Sequence, residues 1–123
     1  MAKILVVEDD PQLSLTYGIL LKKEGHEVDH AHNGFEALTK IKTFTPEIIL
    51  LDIRMPGMDG IEFLRQVKLK ENFPDVKVIV FSNMEQADQI EEAFKLGAHS
   101  TMLKSSFSPS QLADMIRQTL LIK

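Results

Sequence analysis

A chain of 123 residues, 44% of them hydrophobic, can bury a sizeable core for one domain and has no room for a second, and no run approaches the roughly 20 apolar residues of a membrane span. The net charge of −4 leaves no basic footprint for direct nucleic-acid binding, and the absence of cysteine removes any disulfide framework. One domain over 1–123 is expected, with a cytoplasmic location, because "MAKILVV" enters a strand-like run without the apolar stretch and cleavage site of a secretory signal.

In chain order, "KILVV" (3–7) reads as the first strand, and Asp10 and Pro11 then open a helix in cap and first-turn positions. That helix carries Leu13, Tyr17, Leu20 and Leu21 on one apolar face and closes at Gly25 after Lys22 and Lys23. "EVDHA" (27–31) is the second strand, followed by Asn33 and Gly34 before a helix bearing Ala37, Leu38 and Ile41. "EIILL" (47–51) is the third, and Asp59 and Gly60 precede a helix bearing Phe63, Leu64 and Val67. "VKVIV" (76–80) is the fourth, followed by a helix from Glu85 to Leu96 that Gly97 ends. "HSTML" (99–103) is a weaker fifth, and Ser108-Pro109-Ser110-Gln111 has the capping-box spacing for a last helix reaching about Leu120. Strict alternation of strand and helix implies right-handed crossovers and a parallel sheet covered on both faces, an α/β fold with five strands and five helices.

Such a sheet collects the C-terminal ends of its strands along one edge, where open α/β folds bind their ligands. Glu8, Asp9 and Asp10 follow strand one, Asp52 follows strand three, Ser82 strand four and Lys104 strand five. Carboxylates converging with a hydroxyl and an ammonium suit a hard cation, Mg2+ above all, held by a few carboxylates with waters and a phosphate oxygen. A bound dication would reduce the repulsion between a carboxylate nucleophile and a phosphoryl donor. Asp52 ends an apolar strand, so its charge belongs at this edge, where the strand gives way to solvent. Asp10 reads as a helix cap rather than a ligand, and Pro56, Gly57, Asp59 and Gly60 as loop and cap residues. The four histidines, His26, His30, His32 and His99, lack helical ligand spacing and read as structural or surface residues.

"ILVVEDD", "LLDIRMPGMDG", "VIVFSN" and "TMLKS" together, in this order and spacing, resemble the receiver domains of two-component response regulators over essentially the whole chain. The resemblance implies a flavodoxin-like, doubly wound sheet of order 2-1-3-4-5, with Asp52 as acceptor of a phosphoryl group from a sensor histidine kinase or a histidine phosphotransfer protein. It implies that Glu8, Asp9, Asp52 and the backbone carbonyl of Arg54 hold Mg2+, and that Ser82 and Lys104 contact the phosphoryl oxygens. Such a chain is a phosphoacceptor that assists its own phosphorylation and dephosphorylation rather than an enzyme. It alters a protein-interaction surface read by a downstream output domain or protein, and the resemblance also allows a phosphorylation-dependent dimer. The chain reads as a stand-alone receiver or as the N-terminal part of a longer regulator.

Several positions depart from the family pattern. Thr101 stands where many receivers carry an aromatic switch residue, so signalling must use a smaller side chain or the backbone. Ser105 replaces the proline that follows the lysine, which predicts a trans Lys104–Ser105 peptide with the ammonium still reaching Asp52. Arg54 and Met84, two residues past Asp52 and Ser82, occupy positions that in the family influence how long the phosphoryl group lasts, flanking the entry route for water. Glu8 replaces an aspartate, and its extra methylene predicts action through a bound water, with Asp9 the stronger ligand. Other classes fit less well. A flavin carrier needs phosphate-cradling donors where "VVEDDPQ" would repel, and an aspartyl phosphatase resembles a strand-one D-x-D pattern. A degenerate receiver, acting as a phosphorylation-independent interaction module, is the remaining alternative.

Overall fold

The computed structural model describes residues 2–82, 87–104 and 108–122. Its elements are β1 (Lys3–Val7), α1 (Pro11–Lys23), β2 (Glu27–Ala31), α2 (Gly34–Thr43), β3 (Ile48–Asp52), α3 (Gly60–Val67), α4 (Leu69–Asn72), β4 (Lys77–Ser82), α5 (Ala87–Lys95), β5 (Ser100–Leu103) and α6 (Pro109–Leu120). The five strands form one sheet of order β2-β1-β3-β4-β5 with every neighbouring pair parallel. Successive strand side chains point to opposite faces, so two cores result. Leu5, Val7, Ile49, Leu51, Val78 and Val80 pack under α2, α3 and α5, while Ile4, Val6, Ile48, Leu50, Ile79 and Phe81 pack under α1 and α6. Tyr17 of α1 stacks on Phe81 with ring centroids 5.0 Å apart.

Each helix start follows from its capping residue. Asp10 accepts the N–H groups of Gln12 (2.9 Å) and Leu13 (3.4 Å), Asn33 accepts that of Glu36 (2.8 Å), and Asp59 accepts that of Glu62 (2.9 Å). Ser108 and Gln111 form the reciprocal capping box expected of their spacing.

Three details differ from the sequence reading. The described residues hold six helices rather than five, because Lys68 takes a left-handed conformation (φ 50°) that ends α3 and restarts one turn as α4. Buried Leu69 anchors that turn, and Asn72 Nδ2 donates to the Val67 carbonyl left open at the break (3.1 Å). The inward face of α1 is Ser14, Tyr17, Gly18 and Leu21, and Leu13 is left exposed. Small residues are needed there because His30 of β2 lies directly beneath, its Nδ1 2.6 Å from Ser14 Oγ. Finally, β3 and β4 run one and two residues further than expected, taking Asp52 and Ser82 into the sheet itself. Met84, the predicted helix start at Glu85, Ser105 and the Lys104–Ser105 peptide lie outside the described residues.

Candidate functional site: a buried carboxylate pair at the sheet edge

The central strands β1 and β3 end beside each other, in register from Ile4 with Ile48 to Val7 with Leu51. The next residue of each chain segment, Glu8 and Asp52, therefore meets the other at the C-terminal edge. Both are buried, 2% and 3% exposed. Asp52 is thus less accessible than the sequence suggested, because its strand runs through it and α3 closes over its peptide. An added Cβ at Gly60 would lie 2.4 Å from the Asp52 carbonyl oxygen, and the Gly60 N–H donates to Ile53 O at 2.8 Å. Only a glycine lets the start of α3 approach the strand this closely.

Lys104, the first residue after β5, reaches across β4. Its Nζ lies 3.0 Å from Glu8 Oε1 and 3.0 Å from Asp52 Oδ2, so one ammonium bridges both carboxylates. Its backbone is fixed by an N–H donated to Ser82 O at 2.9 Å. Asp10 N–H donates to the other Glu8 oxygen, Oε2, at 3.2 Å, and the Arg54 backbone N–H donates to Asp52. Glu8 is thereby held by partners at both oxygens.

Two carboxylates with one cation and little water cannot both ionise freely. Burial, reinforced by the negative charge of Asp52, pushes Glu8 up to about 7 against the pull of Lys104. Burial likewise raises Asp52, offset in part by Lys104 and by hydrogen bonds from Glu8 and Arg54. Burial alone would lower Lys104, but the two carboxylates outweigh it and hold the ammonium charged above its ordinary range.

Asp9 lies on the solvent side of this pair. One oxygen each from Glu8, Asp9 and Asp52 fall within 4.8 Å of one another, a spacing and an all-oxygen donor set that fit a hard dication. An open groove lined by Asp9, Arg54, Met55, Pro56 and Asp59 leads to them. Ser82 is fully buried at the end of β4, and its hydroxyl has no hydrogen-bond partner among the described residues. An oxygen-bearing ligand beside Asp52 would supply one.

The residues singled out in the sequence are therefore brought together, Glu8, Asp9, Asp52, Ser82 and Lys104 at one edge, with Arg54 beside them. Asp10 and Asp59 act as caps. The histidines are absorbed by local bonds: His26 Nδ1 accepts from Ala2 N–H (3.2 Å), His99 Nδ1 accepts from Val78 N–H (3.3 Å), and His30 meets Ser14. What sequence reasoning missed is the double bridge made by Lys104 and a contact of His32 Nδ1 with the Glu8 carbonyl, 3.3 Å. His32 directly follows β2, so the strand-end rule that found the other residues points to it too.

Comparison with known proteins agrees with this geometry. The family model described as the response regulator receiver domain matches residues 4–117. Sporulation initiation phosphotransferase F of Bacillus subtilis is 32% identical over 121 residues, covering 98% of this chain and 95% of that protein. The transcriptional regulatory protein ResD of the same organism is 33% identical over 118 residues, but the match covers 96% of this chain and only 48% of that protein. Among solved structures, a CheY-like response regulator receiver domain protein from Methanospirillum hungatei superposes with a TM-score of 0.89 at 28% identity, over 98% of this chain and 94% of that one.

Proposed function

Since the chain belongs to the response regulator receiver domain family, we propose that Asp52 is its phosphoacceptor, with Mg2+ held by Asp9, Asp52 and the Arg54 carbonyl. The observation that carries this reading is the buried Glu8–Asp52–Lys104 triangle beside the unpartnered Ser82 hydroxyl. A carboxylate meant only to cap or to solvate a loop has no reason to be buried with a second one. Asp52 Oδ attacks phosphorus, the bond from phosphorus to the donor's imidazole nitrogen breaks, and that nitrogen leaves with its electron pair. Mg2+ supplies neutralisation of the charge gathered on the phosphoryl oxygens. Lys104 stays charged and turns from the carboxylate pair toward a phosphoryl oxygen, and Ser82 gives its free O–H to another.

Glu8 acts on the metal indirectly, through water, since before phosphoryl transfer Lys104 holds its Oε1 and the Asp10 N–H its Oε2. The donor is a histidine kinase or phosphotransfer protein on the cytoplasmic side, and the reader is an output domain or separate protein. The relatives include both a protein of nearly this length and a longer transcriptional regulator. The chain assists its own phosphorylation and dephosphorylation and turns over no separate substrate. The completeness of the cluster favours this over a degenerate interaction module.

Incubation with a small phosphodonor and Mg2+ should add one acid-labile phosphoryl group by intact mass. The reading fails if Asp52→Asn retains that label or if EDTA leaves it unchanged.

A further inference from the structure

In a parallel ladder, hydrogen bonds run alternately from one strand's N–H to its neighbour's carbonyl and back. Between β1 and β2 this pattern continues one step past both strands. Glu8 N–H donates to Ala31 O at 3.0 Å, and the next donor, which should be a backbone N–H aimed at the Glu8 carbonyl, is instead the His32 ring, Nδ1 at 3.3 Å. The His32 backbone is held separately, its N–H donating to Glu36 Oε1 at 3.0 Å, and Glu36 N–H donates to the cap residue Asn33 at 2.8 Å. His32 is thus anchored to the first turn of α2 and free to aim its ring at β1.

The carbonyl it meets belongs to the Glu8–Asp9 peptide, the link between two of the three clustered carboxylates. We propose that His32 is a positioning residue for the acidic cluster: its Nδ1–H clamps the Glu8 carbonyl and so sets the plane of the peptide from which the Asp9 carboxylate projects. A carbonyl oxygen can only accept, so Nδ1 must carry the proton and neutral His32 must be the Nδ1–H tautomer. That is the opposite role from His26 and His99, whose Nδ1 atoms accept from backbone N–H groups. The metal part of this proposal rests on the Mg2+ reading above, whereas the tautomer does not.

Two measurements test it. In metal-free protein at pH 8, ring 15N–1H correlation spectra should show His32 protonated at Nδ1 and His99 at Nε2. Titration calorimetry with MgCl2 should show His32→Ala weakening binding by about three- to tenfold, below the roughly 10–100-fold of residues that touch a metal ligand's side chain directly, because His32 acts through the backbone. His32→Asn, whose amide nitrogen stands where Nδ1 does, should stay within about twofold of the parent, while His32→Gln, which places its nitrogen further out, should behave like alanine. An Nε2–H tautomer at His32, unchanged affinity in His32→Ala, or equal losses in the asparagine and glutamine variants would each overturn the positioning role. Absence of Mg2+ binding by the parent would remove the metal reading and the positioning role with it, and the tautomer measurement would still tell the two failures apart.

Discussion

The two ends of this sheet handle polar groups in opposite ways. At the N-terminal end, where β2 and β5 begin as edge strands, a histidine precedes each and its ring nitrogen serves as one more rung. His26 takes the Ala2 N–H while Glu27 N–H gives to Ala2 O at 2.9 Å, and His99 takes the Val78 N–H while giving its own N–H to Val78 O at 2.8 Å. The backbone N–H and carbonyl of Ala2 and of Val78 thus all have neutral partners. At the C-terminal end two buried carboxylates share one ammonium and a buried hydroxyl is left unpartnered. One end is built to be satisfied, and the other carries a cost that no packing need explains. The asymmetry marks the second end as the place where a ligand completes the structure.

Glycines at the two ends make the comparison quantitative. At the C-terminal end a Cβ on Gly60 would be driven against the Asp52 carbonyl and the Ile53 Cα, 2.4 and 3.0 Å away, and backbone atoms cannot swing aside. At the N-terminal end Gly25 has φ +91° but nothing within 4 Å of an added Cβ, so substitution there meets only conformational strain. We expect Gly60→Ala to cost about 2–4 kcal/mol and Gly25→Ala about 1 kcal/mol in urea unfolding. Similar losses at both positions would mean that α3 does not press on the Asp52 peptide.

The charge balance gives the next effect in size. Glu8 is raised from 4.5 to about 7 in the folded protein, first by burial and then by Asp52, so between those values the folded state binds the extra proton. Stability without Mg2+ should therefore fall as pH rises from about 4.5 through about 7. Glu8→Gln keeps the shape and removes the ionisation. In EDTA it should unfold at higher urea than the parent at pH 8, by roughly 1–2 kcal/mol, and match the parent at pH 5. A variant less stable than the parent at pH 8 would show that the bridge to Lys104 outweighs the burial of the carboxylate.

Alternation of apolar runs with capped helices sufficed to place all five strands and the starts of four helices, because those signals are local: Asp10, Asn33, Asp59 and Ser108 each act on N–H groups two or three residues ahead. The meeting of Glu8, Asp9, Asp52 and Lys104 was legible too, since a parallel sheet sends every strand-end residue to one edge. The break at Lys68 was not legible, because a left-handed lysine is chosen by what Leu69 and Asn72 can reach in three dimensions. Nor was the inward face of α1, where a wholly apolar stripe is the sequence default but the His30 ring demands Ser14 and Gly18. The burial of Asp52 depends on where β3 stops, and one residue decided it.

The smallest effect belongs to the satisfied end. His99 can accept the Val78 N–H only while Nδ1 is unprotonated, and burial, helped by the charge of Lys77, lowers its pKa below the ordinary 6.5. A histidine whose pKa falls on folding contributes stability that is fully present above its unfolded value and is lost as pH drops through the folded one. That trend is opposite in sign to the one Glu8 imposes. His99→Leu should cost about 0.5–1 kcal/mol at pH 7.5, the net worth of one neutral hydrogen bond, and less and less as pH drops through the lowered pKa of the folded ring. The ring is only partly buried and keeps much of its surface in water, which can replace it at the Val78 N–H, so the loss belongs at the lower end of that range. Combining His99→Leu with Glu8→Gln should reduce the slope on both the acid and the alkaline side, since the two variants remove opposing slopes at sites on opposite ends of the sheet and should add. An undiminished fall toward pH 8 would move the titrating proton from Glu8 to Asp52, which burial also raises, and an undiminished fall on the acid side would move that pH dependence from His99 to His26 and His30, which burial also lowers.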